Sequence, residues 1–148
     1  MNCSINLSNF IRFLTRAAVV YMPLSIFAQN PIVPPGVYIT DPSARIWNDG
    51  NIYIYGSVDE STKYYCSHRY HVLSSDDMMN WKLHENTFSS KGEDDQVPYS
   101  DNLLYAPDCM ERDGKYYLYY CLASNQNTEG VAVSDGEELL DLDWFQFE

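Results

Sequence analysis

The sequence predicts an all-β protein, and three observations lead there. An Asp-Gly pair set between apolar runs occurs twice, at Asp49-Gly50 and Asp113-Gly114, 64 residues apart. Each is preceded by a Pro next to or near an Asp, in Asp41-Pro42-Ser43 and in Ala106-Pro107-Asp108. A later strand phrase repeats as well: Val72-Leu73-Ser74-Ser75-Asp76 is echoed by Val131-Ala132-Val133-Ser134-Asp135, at an offset of 59. Asp-Gly between apolar runs is a strong hairpin signal, because a tight type I′ turn needs positive φ at both central residues. Repetition of a several-strand unit is the sign of a β-propeller, whose compact blades take four strands and ~40–50 residues. The chain therefore reads as a β-propeller fragment of about two blades. Two chance hairpins in another kind of β domain are the alternative.

Taken in order, the first 28 residues have the character of a secretory signal. Arg12 and Arg16 are unaccompanied by any acidic residue, and an apolar stretch over 17–27 ends at Ala28. Pro23 and the short apolar length argue against a membrane span, which needs ~20 apolar residues. Residues 29–148 then hold the β units. Residues 41–57 and 106–122 are expected to form antiparallel hairpins in adjacent sheets. The strands after each turn, Ile52-Tyr53-Ile54-Tyr55 and Tyr116-Tyr117-Leu118-Tyr119, are continuous apolar and aromatic runs, as in sheets covered on both faces. Trp47 and Trp81 fall in or beside strands and are expected in the core. Between the units, Glu93-Asp94-Asp95 lies among Ser and Gly and reads as a solvated loop. Propellers close with about 4–8 blades, each covered by its neighbours, so 120 residues read as the front portion of a larger protein.

Charge narrows the partners. The chain carries 9 basic and 21 acidic residues, a formal net charge of −12, and without Arg12 and Arg16 the balance becomes −14. Such a surface repels phosphate backbones, which excludes nucleic acid as the expected partner. Cys66, Cys109 and Cys121 follow the signal; Cys109 and Cys121 lie on opposite arms of the second hairpin, roughly facing each other. An exported protein can oxidise such a pair, but free thiols are the expectation, since buried free cysteines are common. No Cys-x-x-Cys or His-x-x-x-His spacing indicates a zinc site. His68 and His71 are expected to be ordinary loop or strand residues. Tyr is abundant, with 13 residues, and aromatic rings outside the core are platforms for sugar faces.

The chemistry rests on Asp41 and Asp108. The innermost strand of each blade lines the central channel, so these two carboxylates would reach one common funnel from adjacent blades. Glycoside hydrolysis needs one carboxyl to activate water and another to protonate the leaving oxygen. The bland reading of either Asp is a turn or strand cap bonded to local backbone N–H groups. Recurrence of the same placement in both repeats favours the site.

These residues resemble a known family. Asp41-Pro42-Ser43 before one Asp-Gly hairpin, and Tyr105-Ala106-Pro107-Asp108 before Asp113-Gly114-Lys115-Tyr116-Tyr117-Leu118-Tyr119-Tyr120, are similar to glycoside hydrolase family 43. Glu129-Gly130-Val131-Ala132-Val133-Ser134-Asp135 resembles the same family's outer strand phrase, and the likeness covers about residues 30–136. The resemblance implies a five-bladed propeller that cleaves arabinosides and xylosides of plant-type polysaccharides with inversion. It implies Asp41 as general base and Asp108 as the carboxylate that modulates the pKa of the acid. Tyr105, where the family often has Trp, falls at the wall of the sugar pocket. The family's general acid is a Glu from a later blade; Glu129 aligns instead with an ordinary strand position, and residues 136–148 depart from the family pattern. No cofactor is implied for these residues, and for a channel calcium no ligand is assignable here. An exported glycosidase whose acid lies outside this chain, with the chain alone inactive, is the first functional expectation. A non-catalytic carbohydrate-binding or degenerate propeller fragment is the alternative.

Overall fold

The computed structural model describes residues 32–126 and 129–134, together with the backbone of 144–146; the expected signal segment 1–28 lies outside them. Among the described residues, eight strands form two four-stranded sheets. The first contains β1 (Ile39–Ile46), β2 (Ile52–Val58), β3 (Arg69–Ser75) and β4 (Lys82–Ser89). The second contains β5 (Asp108–Arg112), β6 (Lys115–Cys121), β7 (Glu129–Ser134) and β8 (Trp144–Gln146). Both sheets are antiparallel meanders in which every strand pairs with its sequence neighbour. No helix occurs among the described residues, so none there is long and apolar enough to cross a membrane. The two repeated units are thus two blades.

The two Asp-Gly turns are built differently. Asp113 and Gly114 both have positive φ, 56° and 77°, and join Arg112 directly to its partner Lys115, as a two-residue hairpin requires. At the first turn only Gly50 is left-handed, at 81°; the Trp47 N–H donates to the Asn51 carbonyl, and the Gly50 N–H donates back to Trp47. This is a three-residue loop closed by a glycine bulge. The reason is side-chain chemistry: the Asp49 carboxylate accepts from the Asn51 N–H (2.9 Å) and the Tyr53 hydroxyl (2.8 Å), which holds Asp49 in an Asx turn.

The core lies between the blades. Tyr53, Tyr55, Tyr70, Val72 and Phe88 of the first sheet meet Cys109, Leu118, Tyr120 and Ala132 of the second. Aromatic contacts run across the seam, with the Phe88 and Tyr120 rings 5.0 Å apart and Trp47 edge-on to Tyr116 at 5.5 Å. The segment between β4 and β5 threads this seam. Leu104, fully buried, bridges Ser67 on one side and Leu122 on the other. The Ser57 hydroxyl donates to its carbonyl at 2.7 Å.

Some expectations hold and others need amendment. Cys109 pairs with Leu118 and Cys121 with Glu129, so the two cysteines do not face each other across the hairpin. The two-residue turn places Asp108 opposite Tyr119 and carries Cys121 beyond the paired part of β5. Cys66, Cys109 and Cys121 are free thiols. Trp47 packs against the core, whereas Trp81 sits at the margin of the first blade and donates its indole N–H to Met78. His71 is buried and accepts the Asn86 N–H, while His68 pairs with the Ser90 hydroxyl.

Candidate active site

Asp41 occupies an irregular place in β1. Pairing with β2 is interrupted between Thr40 and Ser43, so Asp41 and Pro42 form a bulge. Asp41 has φ of 47°, in the left-handed region. A residue before proline normally keeps to extended backbone, so the conformation is strained twice over. Bulges and strained residues are found disproportionately beside active sites, where they re-aim a side chain. Asp41 is exposed. Two residues on, the buried Ser43 hydroxyl has no hydrogen-bond partner among the described residues.

Asp108 opens β5 and is held from two sides. Its Oδ1 accepts the Cys109 N–H at 2.8 Å, and its Oδ2 meets the Arg45 guanidinium at 2.5 Å. Arg45 also donates through Nε to the Cys109 carbonyl at 3.1 Å. Arg45 belongs to the first blade, so this contact ties the two innermost strands together. Both side chains are nearly half exposed, which limits the ion pair to about 1 kcal/mol or less of stability. Its effect is on geometry: the guanidinium fixes where the carboxylate points.

Two contacts order the strands relative to each other. Ser57, the partner of Thr40, bonds Leu104; Arg45, farther along β1, bonds Asp108, farther along the second segment. The segments therefore run side by side in the same direction. Asp41 lies between these two levels, and Asp108 lies level with Arg45. Tyr105 precedes Asp108, half-buried, with its backbone N–H donated to Cys121. Its ring stacks on that of Tyr65 at 5.3 Å and 26°. Hydrogen bonding with the Tyr65 hydroxyl raises the Tyr105 phenol above its ordinary pKa, with slight burial adding to it.

Glu129 sits at the exposed start of β7 and lines, with Asp108, Tyr119 and Val131, a cavity of about 480 Å³. Among the described residues no group of three His, Cys, Asp or Glu side chains converges on a metal position. Sequence reasoning singled out Asp41, Asp108 and Tyr105 but missed Arg45 and Tyr65. Nothing local marks either one, since their partners lie in the other repeat.

The comparisons with known proteins agree with this architecture. A profile of glycosyl hydrolases family 43 matches residues 28–144. A xylosidase/arabinosidase of Bacteroides ovatus is 34% identical over 111 residues, covering 68% of this chain and 33% of that protein. One of Thermoclostridium stercorarium is 38% identical over 110 residues, covering 72% of this chain and 23% of that protein. Among solved structures, the GH43_1 enzyme from Xanthomonas citri complexed with xylotriose superposes with a TM-score of 0.63 at 26% identity, over 79% of this chain and 34% of that one. The chain thus spans between 23% and 35% of the curated relatives it matches. With the paired blades and most of the sequence matched to one profile, the chain belongs to glycosyl hydrolases family 43.

Proposed function

We propose that this chain supplies the first two blades of an exported, inverting O-glycosyl hydrolase acting on xylosides and arabinosides of plant polysaccharides. Asp41 is the general base. It takes a proton from a water whose oxygen bonds to the anomeric carbon, as the bond to the leaving oxygen breaks on the opposite face of the sugar. Asp108 holds and tunes the acid that protonates that leaving oxygen. The acid is a Glu outside the residues assigned here. Tyr105 lines the wall against which the sugar sits. Residues 1–28 are the signal that directs export.

The observation that carries the reading is the strained bulge at Asp41, beside a strand whose own leading carboxylate is clamped by Arg45 from the neighbouring blade. A turn or strand cap requires neither. The names of the relatives, xylosidase/arabinosidase in both cases, support the substrate class. A chimaera with residues 32–146 in place of the matching segment of the Bacteroides ovatus relative surrounds these blades with a complete enzyme. It is expected to hydrolyse 4-nitrophenyl xyloside or arabinofuranoside. Asp41→Asn should keep its thermal midpoint and lower kcat by ~10²–10⁴, because an amide cannot accept the water proton. Full turnover in a folded Asp41→Asn chimaera would remove Asp41 as the base. A folded parent chimaera that binds xylotriose without hydrolysing either substrate would favour the non-catalytic, sugar-binding alternative.

A further inference from the structure

Resting on that reading of the site, we propose that Tyr65 is a substrate-binding residue, whose outer ring face stacks on a neutral pentose unit of the bound oligosaccharide.

The loop between β2 and β3 carries Tyr65, and its end is anchored. The Cys66 N–H donates to the Asp59 carboxylate at 2.5 Å, Cys66 is fully buried, and its φ of 66° turns the chain sharply. The Cys66 sulfur lies 3.9 Å from the Thr40 hydroxyl, and Thr40 immediately precedes Asp41. Tyr65 is therefore fastened, through its chain neighbour, to the residue beside the proposed base. On its other side it stacks on Tyr105, three residues ahead of Asp108. The tyrosine pair thus links the segment that carries Asp41 to the segment that carries Asp108.

Within the pair the two rings are not equivalent. Tyr105 is half-buried, while Tyr65 is 64% exposed. A stacked ring has one face covered by its partner, so the exposure of Tyr65 belongs to its outer face and edge. An aromatic ring that is open on one face and fixed behind by a second ring is a rigid apolar platform with little entropy left to lose on binding. A pentose in ring form offers the matching chemistry. Its C–H groups lie against the π-face, and its hydroxyls stay free to hydrogen-bond at the ring edge. The net charge of −12 selects against anionic sugars, so a neutral unit is the occupant that fits. Simple mutual shielding of two tyrosines explains the stacking but not its position between the two carboxylate-bearing segments.

The test is titration of the full 148-residue chain with xylotriose and, separately, arabinotriose. Tyr65→Phe should bind within about twofold of the parent. Tyr65→Ala should bind about three- to tenfold more weakly, the range expected for loss of one aromatic stacking contact. Its thermal midpoint should fall only slightly, because Tyr65 is largely exposed and gives up only its stack on Tyr105. The ring resonances of Tyr65 should shift on titration of the unmutated chain, which gives an answer even if the Ala variant folds poorly. If the parent binds a sugar while Tyr65→Ala binds equally well and the ring resonances stay still, Tyr65 is no platform and the glycosidase reading stands. If the parent binds neither trisaccharide, the reading of the site fails and Tyr65 falls with it.

Discussion

Asp108 and Cys109 are neighbours in β5 with opposite surroundings, and one step of the strand separates them. Asp108 faces the Arg45 guanidinium and solvent; Cys109 is fully buried against Tyr55. Burial pushes the Cys109 thiol up to about 12, and the Asp108 charge adds to the rise. Cys121 is also raised, by burial first and then by the Glu129 carboxylate, but it remains partly accessible. In a Cys3→Ser background, native protein treated with iodoacetamide at pH 8 should be labelled slowly at Cys121 and not at Cys66 or Cys109. Unfolding should expose both. Rapid labelling of Cys109 in the native state would show that the seam between the blades opens. At this scale the sequence revealed the carboxylates, because each sits beside a proline at the head of a repeated unit. It concealed Arg45 and Tyr65, whose partners Asp108 and Tyr105 are 63 and 40 positions away.

The strand connections show how side chains decide what an element becomes. Both Asp-Gly pairs mark hairpins, as expected. Only the second makes the two-residue turn, because Asp49 spends its carboxylate on Asn51 and Tyr53. The β3–β4 connection is organised by Asp77, which accepts the Met79 and Asn80 N–H groups at 2.8 and 2.7 Å and the Asn80 side chain at 2.7 Å. The Asn80 and Met79 N–H donors lower the Asp77 carboxyl to about 2 from 3.8. Since its folded pKa lies below the unfolded one, its stabilisation is complete above about pH 4 and is lost as pH falls through 2. Thermal midpoints of Asp77→Ala should lie below those of the parent at pH 6, with the gap closing between pH 4 and 2. A gap that stays constant down to pH 2 would mean that the charged carboxylate does not hold this turn. The pattern of glycine, asparagine and aspartate announced where the turns fall, whereas hydrogen-bond competition within each loop settled their geometry.

Across the whole molecule, the two blades stand on a shared interior in which Leu104 is the central contact. It is fully buried, bridges both blades, and offers its carbonyl to Ser57. Leu104→Ala should cost about 2–5 kcal/mol, the range for emptying a packed leucine site. Denaturant unfolding should record the loss, while Tyr65→Ala, which gives up only one exposed stack, should move the midpoint far less. A cost below about 1 kcal/mol would mean that the seam refills and that the blades are held elsewhere. The sequence by itself determined the all-β class, the two repeated units, and the residues on which chemistry can rest. Those signals are local: a turn dipeptide, a run of strand formers, a carboxylate next to a proline. Only the tertiary structure decided that Asp41 lies in a strained bulge, that Arg45 reaches across to Asp108, and that Tyr65 covers Tyr105. Each of those depends on packing one blade against the next, and no pattern within a single repeat encodes which side chains will then meet.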